Sequence, residues 1–346
     1  MTAPLTPHRF ETRGQEEKTP VVFNAHRLSI APMMDWTDRH CRVFHRQMTR
    51  RAMLYTEMVT APAIVHGPKP RLLDFSPQEH PLALQLGGSD PRELAQAVRL
   101  SRPWGYDEVN LNCGCPSDRV QSGCFGAVLM ERPALVVECV RAMQAETDAP
   151  VTVKCRIGVD EQDPETVLPA FIEALAGGGV RHIIIHARKA WLKGLSPKEN
   201  REIPPLDHAL VLRMKARFPD LAICINGGIT TLEQAKNLLD QGLDGVMIGR
   251  AAYHDPASVL IGADALWGDA FAPDPHAVID AMRPYIADHL GAGGRLHQIT
   301  RHMLGLFTGK PGARGWRRVL SDEASRDGAG LHTIDRALGM LQASAA

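Results

Sequence analysis

Eight short Val/Ile/Leu-rich runs, most of them followed by a segment with helical spacing, constrain this chain more than any other feature. The runs are Leu28–Pro32, Met53–Met58, Pro81–Leu86, Glu108–Asn112, Val151–Cys155, Arg181–His186, Ala222–Asn226 and Gly245–Gly249. They are nearly continuous in apolar character rather than strictly alternating, as expected of strands buried on both faces. Asp90-Pro91 opens a helix through Leu100, Pro164 opens another, and Thr231 caps a third from Leu232. Asp, Thr and Pro at those positions satisfy or avoid the orphan amides of a first helical turn. Strand–helix alternation of this length predicts an α/β fold, a TIM (β/α)8 barrel. The alternative is a doubly wound open sheet, but no G-x-G-x-x-G follows the first run.

Past Pro275 the pattern turns helical, over Ala277–Leu290, Leu296–Phe307 and Leu331–Leu341. The expected organisation is a loose polar leader over 1–24, a barrel over 25–272 and an all-helical C-terminal domain over 273–346. Apolar residues make up 44 %, enough for a sizeable core. Lys plus Arg and Asp plus Glu both total 39, so a nucleic acid would have to be met by a local patch. The seven cysteines show no metal-type spacing and fit a reducing cytoplasm better than a disulfide framework. No metal is expected, and no run approaches the roughly 20 apolar residues that cross a bilayer.

In a barrel of this kind chemistry sits at the C-terminal ends of the strands. The runs close on Pro32-Met33-Met34, Glu57, Gln85, Asn112 with Cys115, Lys154, His186, Asn226-Gly227-Gly228 and Gly249-Arg250. The loops after strands seven and eight commonly bind phosphate, and the glycines and Arg250 suit an anion; a plain turn is the simpler reading of Gly227-Gly228. Lys154 could form a Schiff base, hold negative charge on a cofactor ring, or reach out to water. Gln85 could bond a planar heterocycle or be an internally satisfied amide. His186 could meet a phosphate or a base, or simply end its strand. Cys115 stands on a Gly-Pro-flanked loop where a thiol can act as acid or nucleophile, with Asp118 and Arg119 nearby; Cys113 and Cys124 read as small apolar fillers.

Taken in order, Ala31-Pro-Met-Met-Asp-Trp-Thr-Asp38, Tyr55-Thr-Glu-Met58, Gln85-Leu86, Asn110-Leu-Asn-Cys-Gly-Cys-Pro-Ser117, Val153-Lys-Cys-Arg156, His186-Ala-Arg188, Asn200-Arg-Glu-Ile-Pro-Pro205, Asn226-Gly-Gly228 and Gly249-Arg250 resemble the tRNA-dihydrouridine synthases. The Asn200–Pro205 and His302–Phe307 stretches resemble the A-type branch. The resemblance implies an FMN barrel with a C-terminal helical domain, reduced by NADPH, that passes hydride from flavin N5 to C6 of a tRNA D-loop uracil, at position 20 and sometimes its neighbour. It makes Cys115 the acid that protonates C5. It assigns Pro32, Met33 and Met34 to the flavin ring and Gln85 and Lys154 to its polar edge. His186, Asn226, Gly227, Gly228, Gly249 and Arg250 would hold the phosphate, and Asn112 the flipped uracil. Cys113 departs from the aliphatic residue expected there.

A base turned out of folded RNA must be held by backbone contacts elsewhere. Arg295 to Leu320 contains no carboxylate and carries Arg295, His297, Arg301, His302, Lys310, Arg314, Arg317 and Arg318. A second basic set, Arg188, Lys189, Lys193, Lys198 and Arg201, follows strand six. Lys198, Arg201, Arg314 and Arg317 are the expected tRNA contacts, although solvated surface explains most such runs. Gly309 to Gly315 reads as a Gly-Pro-broken loop, and Trp316 either stacks on a base or packs the domain. The competing functions are an FMN-dependent dihydroorotate-type dehydrogenase, a phosphosugar aldolase using Lys154, and a non-catalytic RNA chaperone.

Overall fold

A computed structural model describes residues 26–117 and 125–342. The expected leader, and Asp118, Arg119 and Cys124, lie outside the described residues. The strands are β1 (Leu28–Ile30), β2 (Leu54–Tyr55), β3 (Val59–Thr60), β4 (Leu82–Gly87), β5 (Glu108–Cys113), β6 (Val151–Arg156), β7 (His182–His186), β8 (Ala222–Asn226) and β9 (Gly245–Ile248). All pairings are parallel, in the order β1-β9-β8-β7-β6-β5-β4-β2. A parallel bridge between Ser29 and Met53 brings the two ends together. The predicted barrel is therefore present. The second run is not one strand: β2 and β3 both pair with β4, separated by Thr56–Met58. The Thr56 hydroxyl accepts the Gln85 amide in the gap, so a side chain replaces the ladder there.

The helices form where the start signals stand. Asp90 caps α1 (Pro91–Ser101) by accepting from Arg92 N and Glu93 N. Asp163 caps α2 (Pro164–Gly177), and Thr231 caps α3 (Leu232–Asp240). Each such cap contributes about 1 kcal/mol. The outer faces of the strands and the helices share one continuous core, which includes Val109, Leu111, Cys113, Val153, Cys155, Ile183 and Ile185. Cys113 is thus a packing residue, as expected. Inside the barrel a separate cluster holds Ala31, Met53, Tyr55, Ala83, Ile184, Cys224 and Met247.

The C-terminal helices are α4 (Pro275–Gly291), α5 (Leu296–Thr300), α6 (Ala313–Glu323) and α7 (Leu331–Gln342). Two expectations need correction. The helix expected over Leu296–Phe307 stops at Thr300, where Arg301 and His302 turn to meet Asp38. Gly309–Gly315, read as a broken loop, leads into α6, with Gly315 inside it. That glycine serves close packing, because a Cβ on Gly315 would lie 2.7 Å from Met340 Cβ of α7. Trp316 is fully buried and donates to Met303 O at 3.2 Å, so it packs the helices and is not available to stack on a base.

The Pro32–Asp38 loop after β1 joins the two regions. Arg301 donates to Asp35 O at 2.9 Å and to Asp38 Oδ2 at 2.5 Å, and His302 pairs with Asp38 at 3.0 Å. Burial alone would raise the Asp38 pKa, but His302, Cys41 N–H and Arg301 together hold it well below the usual carboxylate range. Trp36 stacks on Tyr253 with ring centroids 4.5 Å apart.

Candidate active site at the barrel mouth

The strand ends converge as the barrel rule requires. Asn112 and Lys154 are register partners on β5 and β6, and His186 and Asn226 on β7 and β8. Just beyond β5 the chain turns tightly, because Asn112 Oδ1 accepts from both Gly114 N (3.0 Å) and Cys115 N (2.9 Å). Cys115 is half-buried, bonded through its carbonyl to Ala127 N at 2.9 Å, with Ser117 Oγ 3.5 Å from its sulfur. It is therefore not an aliphatic filler. The buried Arg156 holds this loop from below: its guanidinium donates to Gly114 O at 3.0 Å, Lys189 O at 3.0 Å and Asn200 O at 2.8 Å. The sequence alone gives Arg156 no role; the signal for it is a charged residue closing an apolar strand.

Lys154 has no carboxylate partner among the described residues. Desolvation, helped by the nearby Arg156 charge, lowers its pKa to about 8. His186 is buried, and desolvation together with Arg156, Lys154, Arg188 and Arg201 pushes its pKa well below the usual value, so it is neutral. Gln85 is buried, donating to Asn110 Oδ1 at 2.8 Å and accepting from Asn112 Nδ2 at 2.9 Å. Each end of its amide retains one further bonding position.

Gly227 and Gly228 have φ of +112° and +73°, outside the range most side chains accept. Added Cβ atoms would lie 2.6 Å from His186 Cδ2 and 2.3 Å from Leu206 Cδ1 respectively. The positive φ at both positions calls for glycine, and at Gly227 an added Cβ would also press on the buried His186 ring. Asn226 Nδ2 is taken by Met247 O at 2.8 Å. Gly249 precedes the short helix Arg250–His254, and the Arg250 guanidinium pairs with Glu202 at 2.6 Å with both partners substantially exposed. Such a pair is weak, about 0–1 kcal/mol, and exchanges readily for a better anion.

In the β1 loop Pro32 is half-buried and Met33 is buried, whereas Met34 is 56 % exposed. Met34, Ile203 and Leu206 are the exposed large apolar side chains among the described residues, and all three lie on loops after β1 and β7. Exposed apolar groups concentrated on one face mark a binding surface. The loop after β7 is pinned by the buried Asn200, which accepts from Trp191 N at 2.7 Å and donates to Trp191 O at 2.8 Å. Lys198 and Arg201 flank it and are exposed. On α6, Arg314, Arg317 and Arg318 share the exposed face while Ala313, Trp316, Val319 and Leu320 face inward. Arg301 and His302 are instead committed to Asp38 and leave the basic set.

At the opposite end of the barrel His26, Glu108 and His182 converge, with donor atoms within 4.8 Å of one another. No metal was expected, and the three are too far apart in sequence to form a visible motif. His26 Nε2 stands 3.0 Å from Glu108 Oε2, a direct ion-pair distance, although the ring is off the hydrogen-bond axis.

A parallel barrel with a thiol loop, a desolvated lysine and two glycines of positive φ at one end has its candidate active site where barrel enzymes usually carry theirs. The sequence matches the family model described as Dihydrouridine synthase (Dus) over residues 29–341. A tRNA-dihydrouridine(20/20a) synthase of Shewanella oneidensis is 58 % identical over 316 residues, 91 % of this chain and 94 % of that protein. Proteins of the same name from Xanthomonas axonopodis pv. citri and Escherichia coli K12 are 55 % and 54 % identical, over 90 % and 96 % of this chain and 93 % and 96 % of their own lengths. The chain belongs to the dihydrouridine synthase family. No helix among the described residues is long and apolar enough to cross a membrane.

Proposed function

We propose that this protein reduces the C5=C6 bond of uridine 20, and of 20a, in the D-loop of tRNA, with FMN as bound cofactor and NADPH as reductant, in the cytoplasm. The observation that carries the reading is the Cys115 loop, capped by Asn112 and set beside Lys154 at the end of the barrel where Met34, Ile203 and Leu206 are exposed.

The residues fit FMN. The Gly227-Gly228 backbone lies in space that any Cβ would fill, and Arg250 is held there by a weak pair with Glu202 and a long bond to Arg201 O. Neutral His186 can donate one N–H to a phosphate. Lys154, without an acid partner, is placed to offset negative charge on a reduced ring, with Gln85 offering its remaining amide positions and Met33 and Met34 an apolar face. When bound, the flavin supplies hydride.

The chain's own groups do the rest. Hydride at C6 of a uracil leaves negative charge at C5 and O4, which a proton must quench. Cys115 holds that proton as S–H, gives it to C5, and regains one from water afterwards. Asn112 orients the base, and Lys154 steadies charge near it. Turning the base out of the stack costs a few kcal/mol. Lys198 and Arg201, with Arg314 and Arg317, offset this through the phosphates; residues 25–272 form the catalytic unit and 273–346 the tRNA-binding unit. The test is dihydrouridine mapping in tRNA from cells lacking this protein. Loss confined to positions 20 and 20a is expected; dihydrouridine retained there would refute the assignment.

A further inference from the structure

The centre of a barrel is ordinarily filled by branched aliphatic side chains, so polar residues along its axis require a reason. Strand β5 alternates: Val109, Leu111 and Cys113 join the outer core, while Glu108, Asn110 and Asn112 face inward. Glu108 and Asn110 are fully buried, Gln85 and Thr152 almost so. These residues form one unbroken series. Thr152 Oγ1 donates to Glu108 Oε1 at 2.6 Å, and Asn110 Nδ2 donates to Thr152 Oγ1 at 2.7 Å. Gln85 Nε2 donates to Asn110 Oδ1 at 2.8 Å, and Asn112 Nδ2 donates to Gln85 Oε1 at 2.9 Å. Asn112 Oδ1 then accepts the Gly114 and Cys115 amides.

Every bond points the same way. Backbone N–H groups only donate, and an ionised carboxylate only accepts. Burial would raise the Glu108 pKa, but His26, His182 and Thr152 outweigh it and hold the carboxyl ionised. Tyr55 also donates to Oε1, at 2.6 Å, which further fixes that oxygen as an acceptor. With both ends committed, each amide between has one permitted orientation. Turning any of them over sets donor against donor and acceptor against acceptor, in a place water does not reach.

We infer that Glu108 and Thr152 are positioning residues for the proton donor: through Asn110 and Gln85 they fix the Asn112 amide with its oxygen toward the Cys115 loop, and so set where the thiol stands. Neither residue touches substrate. The inference rests on the reading of Cys115 as the acid.

The test uses the holoenzyme with FMN, NADPH and unmodified tRNA. Thr152→Val keeps the shape, removes the hydroxyl, and frees the Asn110 amide to turn over; Thr152→Ser keeps the hydroxyl. The valine variant should lose about tenfold or more in kcat with KM for tRNA changed by less than about twofold, because binding is left while alignment is lost. The serine variant should recover most of that loss. If the series acts through Asn112, Thr152→Val should add little in an Asn112→Ala background. Where the valine variant does not fold, Thr152→Ala carries the same expectation. Wild-type kcat in the hydroxyl-free variant, or losses that simply multiply in the double variant, would overturn the inference. A wild type that forms no dihydrouridine sinks the functional reading instead; an active wild type with inactive Cys115→Ala and unimpaired Thr152→Val sinks the relay alone.

Discussion

Gly227→Ala is the substitution whose effect the geometry fixes best. Its φ of +112° is one that an L side chain rarely adopts, and holding alanine there costs about 1–3 kcal/mol. The new Cβ would also stand 2.6 Å from His186 Cδ2, 2.9 Å from His186 Nε2 and 3.1 Å from Leu206 Cδ2. The imidazole cannot simply swing away, since His186 is buried and flanked by Arg156, Lys154, Arg188 and Arg201. The glycine or the histidine must therefore move out of the cradle. Gly242→Ala is the control, since its φ is +100° but nothing lies within 4 Å of the added atom. Both variants should lose roughly 1–3 kcal/mol in denaturant unfolding of the flavin-free protein. FMN affinity, followed by flavin fluorescence quenching, should fall at least about tenfold in Gly227→Ala, equivalent to about 1.4 kcal/mol, and stay unchanged in Gly242→Ala. Equal FMN affinity in Gly227→Ala and wild type would refute the cradle.

Four further outcomes follow from the same structure. Lys154, with its pKa lowered to about 8, loses its charge as pH rises through that value, so FMN affinity should decline above about pH 8 in wild type but not in Lys154→Arg, measured by fluorescence titration. Since the unfolded lysine still binds its proton there, the Lys154 contribution to stability should rise between pH of about 8 and about 10.5, which Lys154→Met removes in pH-dependent unfolding. Replacing both Arg314 and Arg317 by Ala should weaken tRNA binding and reduce the slope of log K against log salt by about 1.4–1.8, read by filter binding; an unchanged slope removes α6 from the interface. Trp316→Ala should destabilise the protein by about 3–5 kcal/mol, as loss of a buried aromatic does, rather than act selectively on tRNA affinity.

The barrel was legible because both-faces-buried strands leave a strong local record. β4 to β9 sit close to the predicted runs, and the Asp90, Asp163 and Thr231 caps mark their helix starts. The β2–β3 break was not legible, since it depends on Thr56 replacing a ladder bond from another strand. Helix α6 was hidden by glycines that usually end helices but here admit α7. At the mouth, Cys115, Lys154 and the glycine pair could be picked out from strand position alone. The roles of Arg156 and Asn200 could not, because their partners are carbonyls brought together only by folding. Glu108-Val-Asn-Leu-Asn-Cys113 did carry a signal: its polar residues recur every second position, which marks a polar barrel interior, though the segment reads at first as one more apolar run.

The central claim is that the Cys115 thiol delivers the proton to C5 of the reduced base. Purified wild-type protein given FMN, NADPH and unmodified tRNA should form dihydrouridine at 20 and 20a. Cys115→Ala should bind flavin and tRNA as wild type does, yet lose at least about 100-fold in rate, the usual worth of a positioned general acid. A Cys115→Ala protein that forms dihydrouridine at the wild-type rate would contradict the account.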